Sequence, residues 1–440
     1  MREIPEVNNG NPQISVIITI HNAEKYIEEC LNSVIHQTFS DIEILCIDGG
    51  SVDATPQILQ SYAEKDRRIK IINDPVTSYG HKVNRGIEEA KGKYVAVLES
   101  DDMFELFMLE HLYKTAEECN VDFVNGDYTC FYTINGVRFS YVTKMYAEDQ
   151  YDCIMHNRAH PEEMGIIPRF WTGLFRKDFL IREQIQMNES PGASFQDMSF
   201  RFLTSALANN SYHMNEPVYL YRIDNPGSSM HDGRKTTVIA DEHDFLQAQL
   251  HKRDITDKQI WHNAYEWKYR DFFGNMCNLR GQYRQELFER YLLERKKDKD
   301  EIRKYYLEGY TDLAEILINL PPDKVMERIE KCACESEMAE KKLGSFLTFI
   351  TCKERIIIFG CGVKGKYLIN LLKGMSEKVL GFSDNNEELW GSMIEGIKVF
   401  APSEIAEKHN NDCVVIANKN HAGEIEKQLK DMGVNDIIIF

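Results

Sequence analysis

Residues 14–20 (ISVIITI) are mostly apolar and rich in β-branched side chains, the pattern of a strand buried on both faces. From Ala23 to Gln37 the apolar residues Ile27, Cys30, Leu31, Val34 and Ile35 recur at helical spacing. The alternation continues with a strand over 42–47, a helix over 53–64, a strand over 69–72, a helix over 83–90 and a strand over 94–98. This β-α-β-α-β-α-β order predicts a parallel sheet with helices on both faces. Such sheets take ligands beyond the carboxyl ends of their strands. Asp48 stands at one such end, and the acidic cluster Glu99-Ser100-Asp101-Asp102 at another.

Beyond Phe104 the pattern is mixed. Residues 121–124 and 127–133 read as strands, 171–180 and 197–208 as helices, and 217–222 as a strand leading into the polar turn Asp224-Asn225-Pro226-Gly227-Ser228-Ser229. Residues 238–345 are rich in Glu, Lys, Arg, Leu and Tyr and read as helices joining two domains. The last hundred residues form a second α/β unit. A strand over 355–359 precedes Gly360-Cys361-Gly362-Val363-Lys364-Gly365 and a helix, and the next strand, 379–382, ends at Ser383-Asp384-Asn385. Residues 413–417 and 437–439 supply further short strands.

At 440 residues the chain is too long for one ordinary core. A formal net charge of −18 argues against nucleic acid as a partner. No apolar run is long enough to span a membrane, and the opening MREIPEVNNG lacks the apolar stretch of a secretion signal, so a cytoplasmic protein is expected. The 11 cysteines are scattered, with Cys332 and Cys334 the one close couple. Reduced thiols, rather than a zinc site, are the reading for that spacing.

Two strand ends carrying carboxylates suit a nucleotide diphosphate and its metal. Breaking a sugar–phosphate bond gathers negative charge on the leaving diphosphate, and a divalent cation stabilises it. Hard oxygen ligands suit Mg2+ or Mn2+, which often use only one or two protein carboxylates. Asp101 is the first choice of metal ligand, with Glu99 and Asp102 as candidates for a ribose hydroxyl or a metal-bound water. Asp101 and Asp102 would also suit the cap of a helix beginning near Phe104. His81, Lys82 and Arg85 are candidates for diphosphate contacts, or are the basic start of an exposed helix. Phe170 and Trp171 are candidates for stacking on a sugar face, or for the core.

Residues 14 to about 230 resemble a family 2 glycosyltransferase with the GT-A fold. The resemblance is carried by Ser15-Val16-Ile17-Ile18-Thr19-Ile20-His21-Asn22, Ile47-Asp48-Gly49-Gly50-Ser51-Val52-Asp53, Glu99-Ser100-Asp101-Asp102 and Gln196-Asp197, in that order. It implies that Thr19 and Asp48 meet the base and ribose of a nucleotide-sugar donor, with uridine favoured. It also implies that Asp197 is the general base of a single displacement with inversion. From the residues alone, Asp197 also suits the cap of the helix it opens, and Asp53 the cap of the second helix. Arg222, Asp224 and Ser228 fall where the family often closes over the nucleotide. The chain departs from the family pattern at Gly49, where a second acid usually follows the first. It departs again at Thr19, where a proline is common, and at Asp224, where a histidine is frequent.

The expected architecture is therefore α/β. A GT-A catalytic domain spans 1–237, a helical connecting region 238–345 and a small Rossmann-like domain 346–440. The resemblance implies transfer from a nucleotide-diphosphate sugar, with Mn2+ or Mg2+, to a saccharide or lipid-linked saccharide in bacterial surface polysaccharide or glycoconjugate assembly. It places the enzyme in the cytoplasm or peripherally at the inner membrane face, and leaves self-association open. In the last domain, Gly360, Gly362 and Gly365 let backbone N–H groups approach a phosphate, and Asp384 stands where it would accept from a ribose hydroxyl. Two other readings follow: a nicotinamide-dependent oxidoreductase or epimerase centred on that loop, and a non-catalytic nucleotide-sugar-binding assembly protein. A sugar nucleotidyltransferase is disfavoured, since His21-Asn22-Ala23-Glu24 replaces the glycine- and arginine-rich loop it requires.

Overall fold

The structure, a computed structural model, describes residues 11–164, 168–227, 238–305 and 313–440. Ser228 and Ser229 of the polar turn lie outside the described residues. Compactness divides the chain into two units: residues up to Thr129 with Thr143–Cys334, and Cys130–Val142 with Glu335–Phe440.

In the first unit β1 (Ile14–Ile20), α1 (Ile27–Ile35), β2 (Ile42–Asp48), α2 (Thr55–Ala63), β3 (Ile69–Asn73), α3 (Tyr79–Glu89) and β4 (Tyr94–Glu99) alternate in the expected order. Both β1 and β2 are buried along their whole length, and the polar pair inside them is matched, Ser15 Oγ donating to Glu43 Oε1 at 2.6 Å. β1 pairs in parallel with β2 and β4, and β2 with β3. Helix α3 starts four residues ahead of the expected position because the Ser78 side chain accepts from the His81 N–H at 3.2 Å.

There follow β5 (Met103–Phe104), α4 (Met108–Cys119), β6 (Phe123–Ile134), β7 (Val137–Thr143), β8 (Ile154–Met155), β9 (Gly173–Arg176), α5 (Lys177–Arg182), α6 (Asp197–Leu207) and β10 (Ser211–Arg222). The sheet runs β3-β2-β1-β4-β9-β6-β10-β5, turning antiparallel at β9. The helix expected over 171–180 is instead a short turn at Phe170–Thr172, the strand β9 and then α5. Gly173, Leu174 and Phe175 fill a fully buried slot between β4 and β6, where pairing overrides a weak helical pattern. The two strands expected over 121–133 are one, β6.

Helices α7 (Val238–Lys252), α8 (Lys258–Asn278), α9 (Gly281–Lys304), α10 (Leu313–Asn319) and the start of α11 (Pro322–Thr351) belong with the first unit. The sequence reading treats them as a separate connecting region. Their apolar residues Ile239, Leu246, Trp261, Phe272, Leu287 and Ile329 lie in the same buried cluster as Ile17 and Leu45. No helix among the described residues is long and apolar enough to cross a membrane.

The second unit holds β11 (Ile356–Phe359), α12 (Val363–Leu371), β12 (Val379–Ser383), β13 (Met393–Ile394), β14 (Ile397–Phe400), α13 (Pro402–Lys408), β15 (Cys413–Ile416), α14 (Ala422–Asp431) and β16 (Ile437–Ile439). Its sheet runs β13-β14-β12-β11-β15-β16. The strand β11 pairs in parallel with β12 and β15, so crossovers leave it in both directions, as in a doubly wound sheet. Phe139 and Leu347 are buried in the same cluster as Ile356, Leu368 and Phe382.

Candidate functional site

Strand register assembles the site. Pairing of β1 with β2 sets Ile20 beside Asp48, and pairing of β1 with β4 sets Thr19 beside Glu99. Both acids thus emerge at the carboxyl edge of the parallel strands that flank β1. Thr19 Oγ1 donates to Glu99 Oε2 at 3.1 Å, and the Tyr79 hydroxyl donates to Glu99 Oε1. Burial, together with the negative charges of Asp101 and Asp197 and against the hydrogen bonds from Tyr79 and Thr19, pushes the Glu99 carboxyl up to about 7. Tyr79 also links this carboxyl to the loop that leads to Asp197, since its hydroxyl donates to Glu99 and its N–H to the Gly192 carbonyl.

The next two acids have different surroundings. Asp102 is buried, its Oδ2 accepts from the Tyr219 hydroxyl at 2.8 Å and its Oδ1 from the Arg222 N–H at 2.7 Å. Burial and the Asp101 charge hold its carboxyl well above the usual range. Each of its oxygens thus accepts a hydrogen bond that ties β10 to the end of β4. Asp101 is half-buried and accepts from Asn225 Nδ2 at 2.7 Å on Oδ2, while its Oδ1 has no hydrogen bond among the described residues. Neither acid caps a helix, since α4 begins at Met108 and its flanking residue is Phe107. Among the described residues no three His, Cys, Asp or Glu side chains converge to hold a metal ion. The carboxylate oxygen that Asp101 leaves open is a hard donor of the kind that would suit Mg2+ or Mn2+, which often take only one or two protein carboxylates.

Asp48 is buried and folds back on its own turn, with Oδ1 accepting from the Ser51 N–H at 3.0 Å and the Ser51 hydroxyl at 2.6 Å. Asp53 takes the Glu24 N–H at 3.1 Å and the Thr55 N–H at 3.0 Å, and so joins the β1–α1 loop to the start of α2. Lys82 projects from the buried face of α3 to lie against Gly49. Burial lowers its ammonium pKa, against the charges of Glu99, Asp48 and Asp74. His81 is differently occupied. Its ring nitrogens meet Glu189 Oε2 at 3.0 Å and Asp74 Oδ2 at 3.1 Å, and the Glu189 hydrogen bond, above all, raises its pKa. A ring held between two carboxylates is a clamp, and the diphosphate contact expected of it has no free nitrogen. Arg85 pairs along its own helix with Glu89 at 2.5 Å.

Asp197 opens α6 and does not cap it, for Gln196 is the residue ahead of the helix and no side chain caps the first turn. Its Oδ2 accepts from Arg201 Nη1, one turn on, at 3.2 Å, and its side chain is 21% exposed. The loop before it is fixed from several sides. Gly192 pairs with the approach to α3 through Tyr79 N–H to Gly192 O and Gly192 N–H to Thr77 O, both at 2.8 Å. Gln196 Nε2 donates to Ser190 O and Gly192 O, and Glu242 on α7 accepts from Asn188 Nδ2 at 2.9 Å and Ser190 Oγ at 2.8 Å. Trp171 does not offer a free face, being stacked on Tyr221 at 5.3 Å and packed on Tyr219 and Tyr128. Phe170 sits edge-on between Tyr79 and Phe200.

Tyr79, Asn225, Arg201 and Glu242 are the members of this site that sequence reasoning passes over. Only Arg201 left a signal, its spacing of one helical turn from Asp197. The others act across long sequence separations.

In the second unit Gly360 has φ +114°, and Gly362 stands at the start of α12. A Cβ on Gly365 would collide with the Gly360 carbonyl oxygen, so the loop packs on the helix only with glycine there. Asp384 Oδ2 accepts from the Cys361 N–H at 2.9 Å and Oδ1 from the Asn386 N–H at 3.0 Å. The acid expected to face a ribose is thus bonded to the glycine loop itself.

The glycosyl transferase family 2 model matches residues 15–179, and a model described as C2185-like, N-terminal, matches residues 352–440. Over 220 residues the chain is 29% identical to the uncharacterized glycosyltransferase EpsJ of Bacillus subtilis, covering 49% of this chain and 62% of that protein. Over 217 residues it is 30% identical to the glycosyltransferase GlyG of Streptococcus pneumoniae, covering 48% of this chain and 70% of that protein. A crystal structure of S. aureus TarS 1-349 superposes with a TM-score of 0.41 at 19% identity, over 59% of this chain and 80% of that one, a likeness too slight to bear on mechanism. The chain thus spans less than two thirds of some relatives and somewhat more of others. With the matched segment carrying every strand-end acid of the first sheet, the chain belongs to glycosyl transferase family 2.

Proposed function

We propose that the first unit is an inverting glycosyltransferase. It moves a sugar from a nucleotide-diphosphate sugar, with uridine the favoured nucleoside, to a hydroxyl of a saccharide or lipid-linked saccharide in surface polysaccharide or glycoconjugate assembly. One observation supports this reading above the others: strand register sets Asp48 and Glu99 at the carboxyl edge of a parallel sheet, with Asp101 just beyond it and Tyr79 joining Glu99 to the loop that leads to Asp197.

In this reading Thr19 and the Asp48 turn form the wall against which the nucleoside lies. Asp101 presents its open oxygen to Mg2+ or Mn2+, with Asn225 fixing the carboxylate plane. When bound, the ion supplies Lewis-acid stabilisation of the diphosphate charge. Asp197 accepts the proton of the attacking hydroxyl, and Arg201 holds its carboxylate in one orientation through Oδ2. Tyr79 ties Glu99 and the Gly192 loop to one helix start, which sets the distance between donor and acceptor sides. Asp102 and His81 serve as anchors of β10 and of the Glu189 loop. A nicotinamide-dependent reading of the second unit gains no support from Asp384, which is bonded to the loop backbone.

The test needs no acceptor. Incubation of the full chain with a panel of nucleotide sugars and Mn2+ should release free sugar from a uridine-diphosphate donor, and chelation should stop it. Release without metal dependence, or none from any nucleotide sugar, would defeat the reading.

A further inference from the structure

Gly49 follows the last residue of β2, and its N–H donates to the Ile20 carbonyl at 2.8 Å. A Cβ built there would collide with Lys82 Cε, lie 2.8 Å from Lys82 Nζ and lie 3.3 Å from the Ile20 carbonyl oxygen. Position 49 is therefore bare because the Lys82 side chain fills the space beside it. Lys82 is only 6% exposed. Its ammonium has three donors. Among the described residues no hydrogen bond, and no ion pair within 4.0 Å, engages it. The charges that act on it most are Glu99, Asp48 and Asp74, at or just beyond the ends of β4, β2 and β3. It lies beside the Asp48 turn, whereas Asp101 is bonded to Asn225, beyond the end of β10.

A buried cation with unmade hydrogen bonds is costly unless a ligand supplies the acceptor. Beside it lies the Asp48 turn, part of what is read above as the nucleoside side. We propose that Lys82 is a specificity-determining residue that donates to a carbonyl oxygen of the nucleobase. The site then selects a keto base over one that carries an amino group at the same edge. An amino group there would set donor against donor and leave the ammonium unpaired. Uracil and cytosine differ by this one exchange. The inference rests on the reading of the cleft as a nucleotide-sugar site, and it moves Lys82 from the diphosphate to the base.

The experiment is titration of the full chain, with Mn2+, against UDP, CDP, ADP and pyrophosphate. The wild-type chain should bind UDP at least about tenfold more tightly than CDP or ADP. Lys82→Met should weaken UDP binding about 10- to 100-fold, while CDP and pyrophosphate change less than about threefold, so that discrimination collapses. Gly49→Ala, which displaces Lys82 and leaves its charge in place, should show the same pattern to a smaller extent. Melting temperatures of both variants check that they fold, and Lys82→Gln, which keeps a neutral donor, should retain part of the UDP preference. Equal weakening of UDP, CDP and pyrophosphate would assign Lys82 to the diphosphate and overturn the proposal. A wild-type preference for CDP or ADP, or variants with unchanged affinities, would overturn it too. If the wild-type chain binds no nucleoside diphosphate, the cleft reading itself falls, and this proposal with it.

Discussion

At the carboxyl edge of β1, β2 and β4, Asp48, Glu99 and Asp101 meet Tyr79 and Lys82 from a helix and come within reach of the charge of Asp197 from a distant loop. At the carboxyl edge of β11 and β12, Asp384 accepts from the Cys361 and Asn386 backbone N–H groups. Both sheets are parallel around their centre, and both place an acid where a ligand of such a sheet is expected. The difference lies in what the side chains have left to give. Asp101 keeps one oxygen and Lys82 a whole ammonium clear of hydrogen bonds among the described residues, whereas both oxygens of Asp384 are bonded to backbone. Topology supplies the place for a site, and unengaged polar atoms drawn from several elements supply its chemistry.

A matched pair of substitutions can break this contrast with the largest effect. Asp101→Ala should lower transfer or donor hydrolysis by about a thousandfold or more, the scale of several kcal/mol of lost charge stabilisation. It should also abolish metal-dependent stabilisation by UDP in a thermal shift assay. Asp384→Ala should leave both unchanged within about twofold, because its side-chain bonds serve the glycine loop and its own turn. Loss of activity in the Asp384 variant, or an active Asp101 variant, would reverse the assignment of the two edges.

The next effect separates the two sides of the first cleft. Asp197→Ala should reduce transfer by about a hundredfold to ten-thousandfold, the range for loss of a positioned base. Metal-dependent UDP binding should survive, since no nucleotide contact is assigned to Asp197. Arg201→Met should follow in the same direction to a smaller extent, as Asp197 loses its orienting partner. If UDP binding fell together with transfer in Asp197→Ala, this carboxylate would belong to the donor side.

The sheet was legible because its first four strands announce themselves locally, through mostly apolar runs such as residues 14–20 and 42–47, separated by helices of regular spacing. The strand ends then follow, and with them Asp48, Glu99 and Asp101. What could not be read was which oxygens those acids keep free. Asp101 and Asp102 are neighbours that both read as candidates in sequence, yet Tyr219 and Arg222 engage Asp102 from more than a hundred residues away. His81 looked free for a phosphate until Asp74 and Glu189 closed on it. Gly49 read as a missing acid, but the space beside it holds Lys82. In each case the deciding contact is long-range and leaves no periodic trace. The strand β9 was lost for a related reason: four residues are too few to show alternation, and its place between β4 and β6 exists only in the folded sheet.

The smallest effect concerns Glu242, behind the loop that carries Asp197. It is fully buried on α7, with Oε1 accepting from Asn188 and Ser190 and with Oε2 lacking a hydrogen-bond partner among the described residues. Burial, against those two hydrogen bonds and with the Asp197 charge, raises its carboxyl from an ordinary 4.5 to about 7. Between these values the folded chain holds a proton that the unfolded chain has released. Stability therefore falls as pH rises from about 4.5 to about 7, and the cost of the buried charge is complete above that window. Glu242→Gln keeps an acceptor for Asn188 and Ser190 and removes the titration. Relative to this variant, the wild-type chain should lose on the order of 2 kcal/mol between pH 4.5 and 7.5. Urea or thermal unfolding across that range measures the difference, and parallel curves for the two chains would show that Glu242 ionises as freely in the fold as outside it. The first cleft would then be held by hydrogen bonds alone, and its loop would owe nothing to a buried acid.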